Sequence, residues 1–114
     1  MPQLEIEYTA NLTDLDAREV LDAAVAALAG LGEFDMASTK ARIRRLDDFS
    51  VDHPDSGGAF VAVLLGVLPG RSTELHERIS RTLTDAVAAA VPARGGTQVT
   101  TELRELTGYT KTVL

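Results

Sequence analysis

The sequence predicts an α/β (α+β) fold in which a four-stranded sheet carries two helices on one face. Two observations predict it: strand-like and helix-like segments alternate along the chain, and the second half repeats the order of the first. The 114 residues can build one domain core and are too few for two. We therefore expect a single domain over 1–114, made of two right-handed β-α-β units at about 1–57 and 58–114.

The first unit begins and ends with a strand. Gln3–Tyr8 alternates apolar and polar side chains, which is typical of a strand with one buried face. Thr13 is the expected N-cap of a helix that two glycines end. The apolar stripe of this helix is Leu21, Ala24, Val25, Leu28 and Leu31. Lys40–Phe49 is the expected second strand, and Asp47–Gly58, rich in Asp, Pro and Gly, is a loop.

The second unit repeats this plan with a more apolar strand. Ala59–Leu68 is nearly continuous in apolar residues, which indicates burial on both faces. Pro69-Gly70 turns the chain, and Ser72 is the expected cap of the second helix. Its core stripe is Leu75, Ile79, Leu83, Val87 and Ala90. Gln98–Leu106 is the fourth strand. Because two helices cover only one sheet face, we expect the other face to pack against further copies of the chain.

Composition excludes several classes of protein. Eleven Lys and Arg against 17 Asp and Glu give a net charge of −6, and this argues against nucleic acid as a partner. The absence of cysteine excludes disulfides and thiol chemistry. No spacing of His or acidic residues matches a zinc or calcium site, so we expect no metal. Without a signal peptide or an apolar run of membrane-spanning length, a cytoplasmic location without membrane partners is the simplest expectation.

Three features could carry chemistry. If Met1 is removed, Pro2 becomes a secondary amine, and an α-amino group titrates near ~7.7–8.0, close to what a general base needs. Lys40 and Arg42 fall on one face of the second strand and could bind a carboxylate. Arg71 precedes the second helix, where a bound anion would also meet the first helical N–H groups. Each has a plain alternative: a common second residue, a solvated strand face, and a surface arginine after a turn.

Together these residues resemble a known family. The N-terminal motif Met1-Pro2-x-Leu4-x-Ile6-Glu7-Tyr8-x-x-Asn11-Leu12, followed by Gly70-Arg71-Ser72, is similar to the 5-carboxymethyl-2-hydroxymuconate isomerases of the tautomerase superfamily. Ala59-Phe60-Val61, Arg104-Glu105-Leu106 and Tyr109-x-Lys111 also fit. The similarity spans nearly the whole chain, and its N-terminal motif is the more specific part.

The resemblance implies a tautomerase-like fold, a homotrimer, and a cofactor-free isomerisation of a small unsaturated carboxylic acid in aromatic compound catabolism. It implies that Pro2 is the acid/base and that Arg71 binds substrate carboxylate. A second family arginine falls on Lys40, two residues before the matched Arg42. Lysine offers a mobile point charge where arginine offers a planar fork. Two alternatives stay open: a tautomerase for another unsaturated acid, and a non-catalytic trimeric domain that binds anions.

Overall fold

The computed structural model describes residues 2–114, and four strands and two helices account for most of them. In chain order these are β1 (Gln3–Thr9), α1 (Ala17–Leu31), β2 (Lys40–Leu46), β3 (Ala59–Val67), α2 (Thr73–Ala90) and β4 (Thr97–Glu105). A short 3-10 helix, Met36–Ser38, precedes β2. The strands form one mixed sheet in the order β2-β1-β3-β4, which confirms the predicted fold class.

Strand pairing follows the two repeated units. β1 pairs with β2 in parallel, and β3 pairs with β4 in parallel, as expected for two β-α-β crossovers. The units are joined by the antiparallel pairing of β1 with β3, in which Ile6 lies opposite Val63. As a result, the first residues of β1 and β2 lie at the same edge of the sheet as the last residues of β3 and β4.

The helix starts test the capping predictions. The prediction for α1 is wrong: Asp16, not Thr13, caps it, and its carboxylate accepts a hydrogen bond from the Glu19 N–H at 3.2 Å. Backbone turns occupy the residues before it, with the Leu15 N–H donating to the Leu12 carbonyl at 3.2 Å. For α2 the prediction is confirmed, because the Ser72 hydroxyl accepts from the Leu75 N–H.

The second strand is shorter than the sequence suggested. β2 ends at Leu46, whereas the sequence predicted a strand that reaches Phe49. The reason is the length of its partner, since β1 ends at Thr9 and Thr9 is the residue opposite Leu46. Beyond that point no strand of the described chain lies alongside β2, so the ladder cannot continue.

The core lies between the sheet and the two helices. Leu4, Ile6, Val61, Val63 and Leu65 of the two central strands are buried on the helix-covered face. Both helices bury residues against them, namely Val20, Ala24 and Leu28 of α1 and Ile79, Leu83 and Val87 of α2. Burying these side chains supplies the main driving force for folding.

The other sheet face carries a narrow apolar row between charged strands. Alternate residues of β3, namely Phe60, Ala62 and Leu64, are only partly buried there. Cross-strand ion pairs flank this row on β1 and β2, where Arg42 binds Glu5 at 3.2 Å and Arg44 binds Glu7. The sequence predicted burial on both faces of the third strand, but in a single chain one face is buried and the other is only half-buried. The apolar surface on that second face is one strand wide. No helix in the described part of the chain is long and apolar enough to cross a membrane.

Replacing Leu83 with alanine tests the core. Leu83 has no exposed surface, so Leu83→Ala removes buried methyl groups and leaves a cavity, lowering the free energy of unfolding by about 2–5 kcal/mol. Leu83→Met conserves the volume and is the matched control, with an expected loss under about 1.5 kcal/mol. Urea denaturation at one fixed protein concentration measures both. Equal losses for the two variants would contradict this packing.

Candidate active site

The residues singled out in the sequence gather around one edge of the sheet. Pro2 immediately precedes β1, and its carbonyl accepts a hydrogen bond from the Lys40 N–H at 3.2 Å. At the same edge, the Leu106 N–H after β4 donates to the carbonyl of Val67, the last residue of β3, at 2.7 Å. Arg71 lies four residues after Val67, where β3 ends. The strand order therefore brings the chain start and the turn before α2 to one end of the molecule.

Pro2 is buried. Its side chain is among those with under 2% of their surface exposed. Whether its nitrogen is an amine or an amide depends on Met1, and that expectation lies outside the described residues.

Arg71 is held by backbone groups and by an aromatic ring. Its Nη1 donates to the Leu68 carbonyl at 3.3 Å and its Nη2 to the Glu33 carbonyl at 3.2 Å. Its guanidinium carbon lies 4.6 Å from the centre of the Phe34 ring, within the range of a cation–π contact. These contacts fix the direction of the side chain. A guanidinium has five N–H donors, so donors remain for an anion.

Lys40 is positioned by a small capped turn. The Asp35 carboxylate accepts hydrogen bonds from the Ala37 N–H and the Ser38 hydroxyl and so caps the 3-10 helix. The Ser38 carbonyl in turn accepts from the Lys40 Nζ at 2.9 Å. Among the described residues, Lys40 forms no ion pair with a carboxylate, and its exposed ammonium can reach an anion.

Arg42 is less available than the sequence suggested. Its Nη2 pairs with the Glu5 carboxylate at 3.2 Å, and its Nη1 donates to the Gln3 amide oxygen at 3.1 Å. The predicted placement of Lys40 and Arg42 on one strand face is confirmed by the alternating exposure of β2. Carboxylates on β1 pair with Arg42 and Arg44 in the register observed, so less of the positive charge on this face is free to bind an anion.

The structure links some of these residues and leaves others apart. Backbone pairing connects Pro2 to Lys40, and Gln3 connects β1 to Arg42. Among the described residues, no hydrogen bond or ion pair joins Arg71 to Pro2, Lys40 or Arg42. Arg42 lines one small cleft of the sheet surface, together with Glu5 and Arg44. Pro2, Lys40 and Arg71 therefore lie at one end of the molecule, and backbone pairing joins only the first two.

Sequence reasoning missed two side chains and gave a third no role. Phe34 carries no sequence signal for its contact with Arg71, because the segment after α1 has no regular pattern. Gln3 looked like an ordinary polar strand residue, although its amide bridges Arg42 and Tyr109. Tyr109 was part of the family resemblance only, and its hydroxyl accepts from the Gln3 Nε2 at 3.3 Å.

Comparisons with known proteins identify the class. The family model described as 5-carboxymethyl-2-hydroxymuconate isomerase matches residues 2–111. The chain therefore belongs to this family and is an isomerase of the tautomerase superfamily. A search of curated proteins found no match.

Solved structures agree with the family assignment. A 5-carboxymethyl-2-hydroxymuconate isomerase from Deinococcus radiodurans R1 is 29% identical, with a TM-score of 0.82, and the match covers 97% of this chain and 88% of that one. A 5-carboxymethyl-2-hydroxymuconate delta-isomerase is 22% identical at a TM-score of 0.77, covering 99% and 88%. A fused 4-OT wild-type symmetric trimer shows the same fold, with 22% identity and a TM-score of 0.72. The match covers 91% of this chain and 85% of that one.

The hydrogen bonds that cap the 3-10 helix before Lys40 can be tested by titrating Asp35. Hydrogen bonds from the Ser38 hydroxyl and then the Ala37 N–H stabilise the Asp35 carboxylate and lower its pKa. Because the folded-state pKa of Asp35 is lowered, these hydrogen bonds stabilise the fold at pH values above the ordinary pKa of the carboxyl. That stabilisation is lost as the pH falls through the folded-state pKa. Ser38→Ala should raise the pKa of Asp35 toward its ordinary range. Carboxyl NMR titration measures it, with Ser50→Ala as the control, and an unchanged pKa in Ser38→Ala would contradict the contact.

Proposed function

We propose that this isomerase converts a 2-hydroxymuconate-type dienol to the conjugated ketone without a cofactor, with Pro2 as the acid/base. The observation that carries the proposal is the placement of buried Pro2 beside Lys40, at the sheet edge that Arg71 also borders. Membership of the family described as 5-carboxymethyl-2-hydroxymuconate isomerase supports the substrate class.

The proton moves within one molecule of substrate. Pro2, as a neutral secondary amine, takes the proton from the enol oxygen, and the electron pair shifts through the conjugated double bonds to a distal carbon. The protonated amine then returns the proton to that carbon, which leaves a ketone and no net change in composition. One group performs both steps because its nitrogen can accept and donate at neutral pH.

Cationic side chains would bind the carboxylates and stabilise the developing negative charge. Arg71 keeps unused N–H donors while its backbone contacts hold its direction, and this is the preorganisation that transition-state stabilisation requires. Lys40 offers an exposed ammonium at the start of β2, and Arg42 offers the donors not used by Glu5 and Gln3. Lys40 stands where the family resemblance expects arginine, so it would contact a carboxylate through a single point charge and not through a planar fork.

We further propose that the protein assembles as a homotrimer. The half-buried row of Phe60, Ala62 and Leu64 on the uncovered sheet face supports this, because a further copy could bury it. The similarity to a 4-OT symmetric trimer supports the same assembly.

Arg71→Ala tests the proposed site. Loss of a preorganised donor should lower kcat/KM for ketonisation of 5-carboxymethyl-2-hydroxymuconate by on the order of 10²-fold or more. Ultraviolet absorbance follows the reaction. Arg78→Ala, on the exposed side of α2, removes the same charge away from the sheet edge and should change kcat/KM by less than about twofold.

The comparison of these two variants decides the role of Arg71. A loss below about threefold in Arg71→Ala would remove Arg71 from the site. An equal loss in both variants would mean that the overall charge, and not this position, matters.

A further inference from the structure

The amide of Gln3 lies between two side chains that come from different parts of the chain. Its Oε1 accepts a hydrogen bond from the Arg42 Nη1 at 3.1 Å, and its Nε2 donates to the Tyr109 hydroxyl at 3.3 Å. Gln3 directly follows Pro2, and Arg42 lies on the neighbouring strand. One amide group therefore separates a proposed carboxylate-binding residue from a tyrosine that has no assigned role.

The chemistry of the three groups fixes the direction of both hydrogen bonds. A guanidinium only donates, so it must face the amide oxygen of Gln3. The amide nitrogen then faces Tyr109, and because this nitrogen only donates, the tyrosine oxygen must accept. The Tyr109 O–H proton is therefore not used by Gln3, and within residues 2–114 the hydroxyl makes no second hydrogen bond.

Two contacts anchor the segment that carries Tyr109 at the Pro2 edge. The Leu106 N–H donates to the Val67 carbonyl at 2.7 Å. The Leu106 side chain packs over Gly66, where an added Cβ would lie 2.8 Å from its Cδ2. The half-buried Tyr109 ring follows three residues later and is held beside Gln3 rather than extending into solvent.

Arg42 alone is an incomplete anion site. Glu5 already neutralises part of its charge, and Gln3 uses one of its donors. A neutral hydroxyl donor nearby would add a hydrogen bond to a carboxylate without adding charge. Hydrogen bonds to charged groups are stronger than those between neutral groups.

We propose that the Tyr109 hydroxyl donates to the same substrate carboxylate that Arg42 binds, and that Gln3 is the positioning residue that leaves its proton available. This inference rests on the proposed function, since it takes a carboxylate to lie at Arg42. It adds Tyr109 to the substrate-binding residues and makes the segment after β4 part of the site.

Tyr109→Phe removes the hydroxyl and keeps the ring. Because the carboxylate is not the reacting group, the hydroxyl should bind ground state and transition state equally. We expect KM for 5-carboxymethyl-2-hydroxymuconate to rise roughly tenfold, with kcat changed by less than about twofold. Tyr8→Phe makes the same chemical change at the other end of β1, away from this edge, and should leave both constants unchanged.

Binding of adipate, a saturated dicarboxylate, separates this inference from the proposed reaction. Calorimetry should show that Tyr109→Phe weakens adipate roughly tenfold. If the wild-type protein binds adipate but does not ketonise the dienol, the proposed function is wrong. Weaker adipate binding by Tyr109→Phe would still support the role of Tyr109 in binding the carboxylate. If the wild-type protein turns over and Tyr109→Phe changes neither KM nor the adipate Kd beyond about twofold, the inference is overturned and the reaction stands. Absence of both binding and turnover would overturn both.

Gln3→Glu tests the positioning role. A carboxylate at position 3 accepts from Arg42 and from Tyr109, so the tyrosine proton is directed to it and away from substrate. In the Gln3→Glu background, Tyr109→Phe should therefore change the adipate Kd by less than about twofold. The same tenfold loss in both backgrounds would overturn the role assigned to Gln3.

Discussion

The antiparallel pairing of β1 with β3 is the constraint on which the rest of the structure depends. Each β-α-β unit is internally parallel, so this one junction decides which strand ends meet. It places the start of β1 opposite Gly66, near the end of β3. The segments that follow β3 and β4 therefore begin at the edge where Pro2 lies, and residues more than sixty positions apart become neighbours there.

The same register explains the electrostatics of this edge. Parallel pairing sets Glu5 opposite Arg42 and Glu7 opposite Arg44, so two of the cations on β2 are paired with carboxylates. Exposed pairs of this kind contribute little to stability, but they reduce the charge available to a ligand. Arg71 and Lys40 are instead held by backbone carbonyls, which fix direction without cancelling charge. An acidic chain can therefore still present cations to an anion at this edge.

The sequence predicted the helices and strands better than the contacts between them. The stripe of α2 and its Ser72 cap are local signals, and the structure confirms both. The end of β2 depends on the length of its partner, and the cap of α1 depends on the turns that connect sheet to helix, so local patterns misplaced them. The pairing of Arg42 with Glu5 and Gln3 follows from register between strands, which no single strand encodes. Family resemblance supplied the expected roles of Pro2 and Arg71.

The central claim is that the Pro2 nitrogen is the acid/base, and comparing protein with and without Met1 tests it most directly. Ultraviolet-monitored ketonisation of 5-carboxymethyl-2-hydroxymuconate should be compared between protein whose intact mass shows that Met1 is absent and protein that retains Met1. We expect turnover well above the buffer rate for the first and none for the second, because an amide nitrogen cannot accept the enol proton. Equal turnover by both proteins, or none by the Met1-free protein, would contradict it.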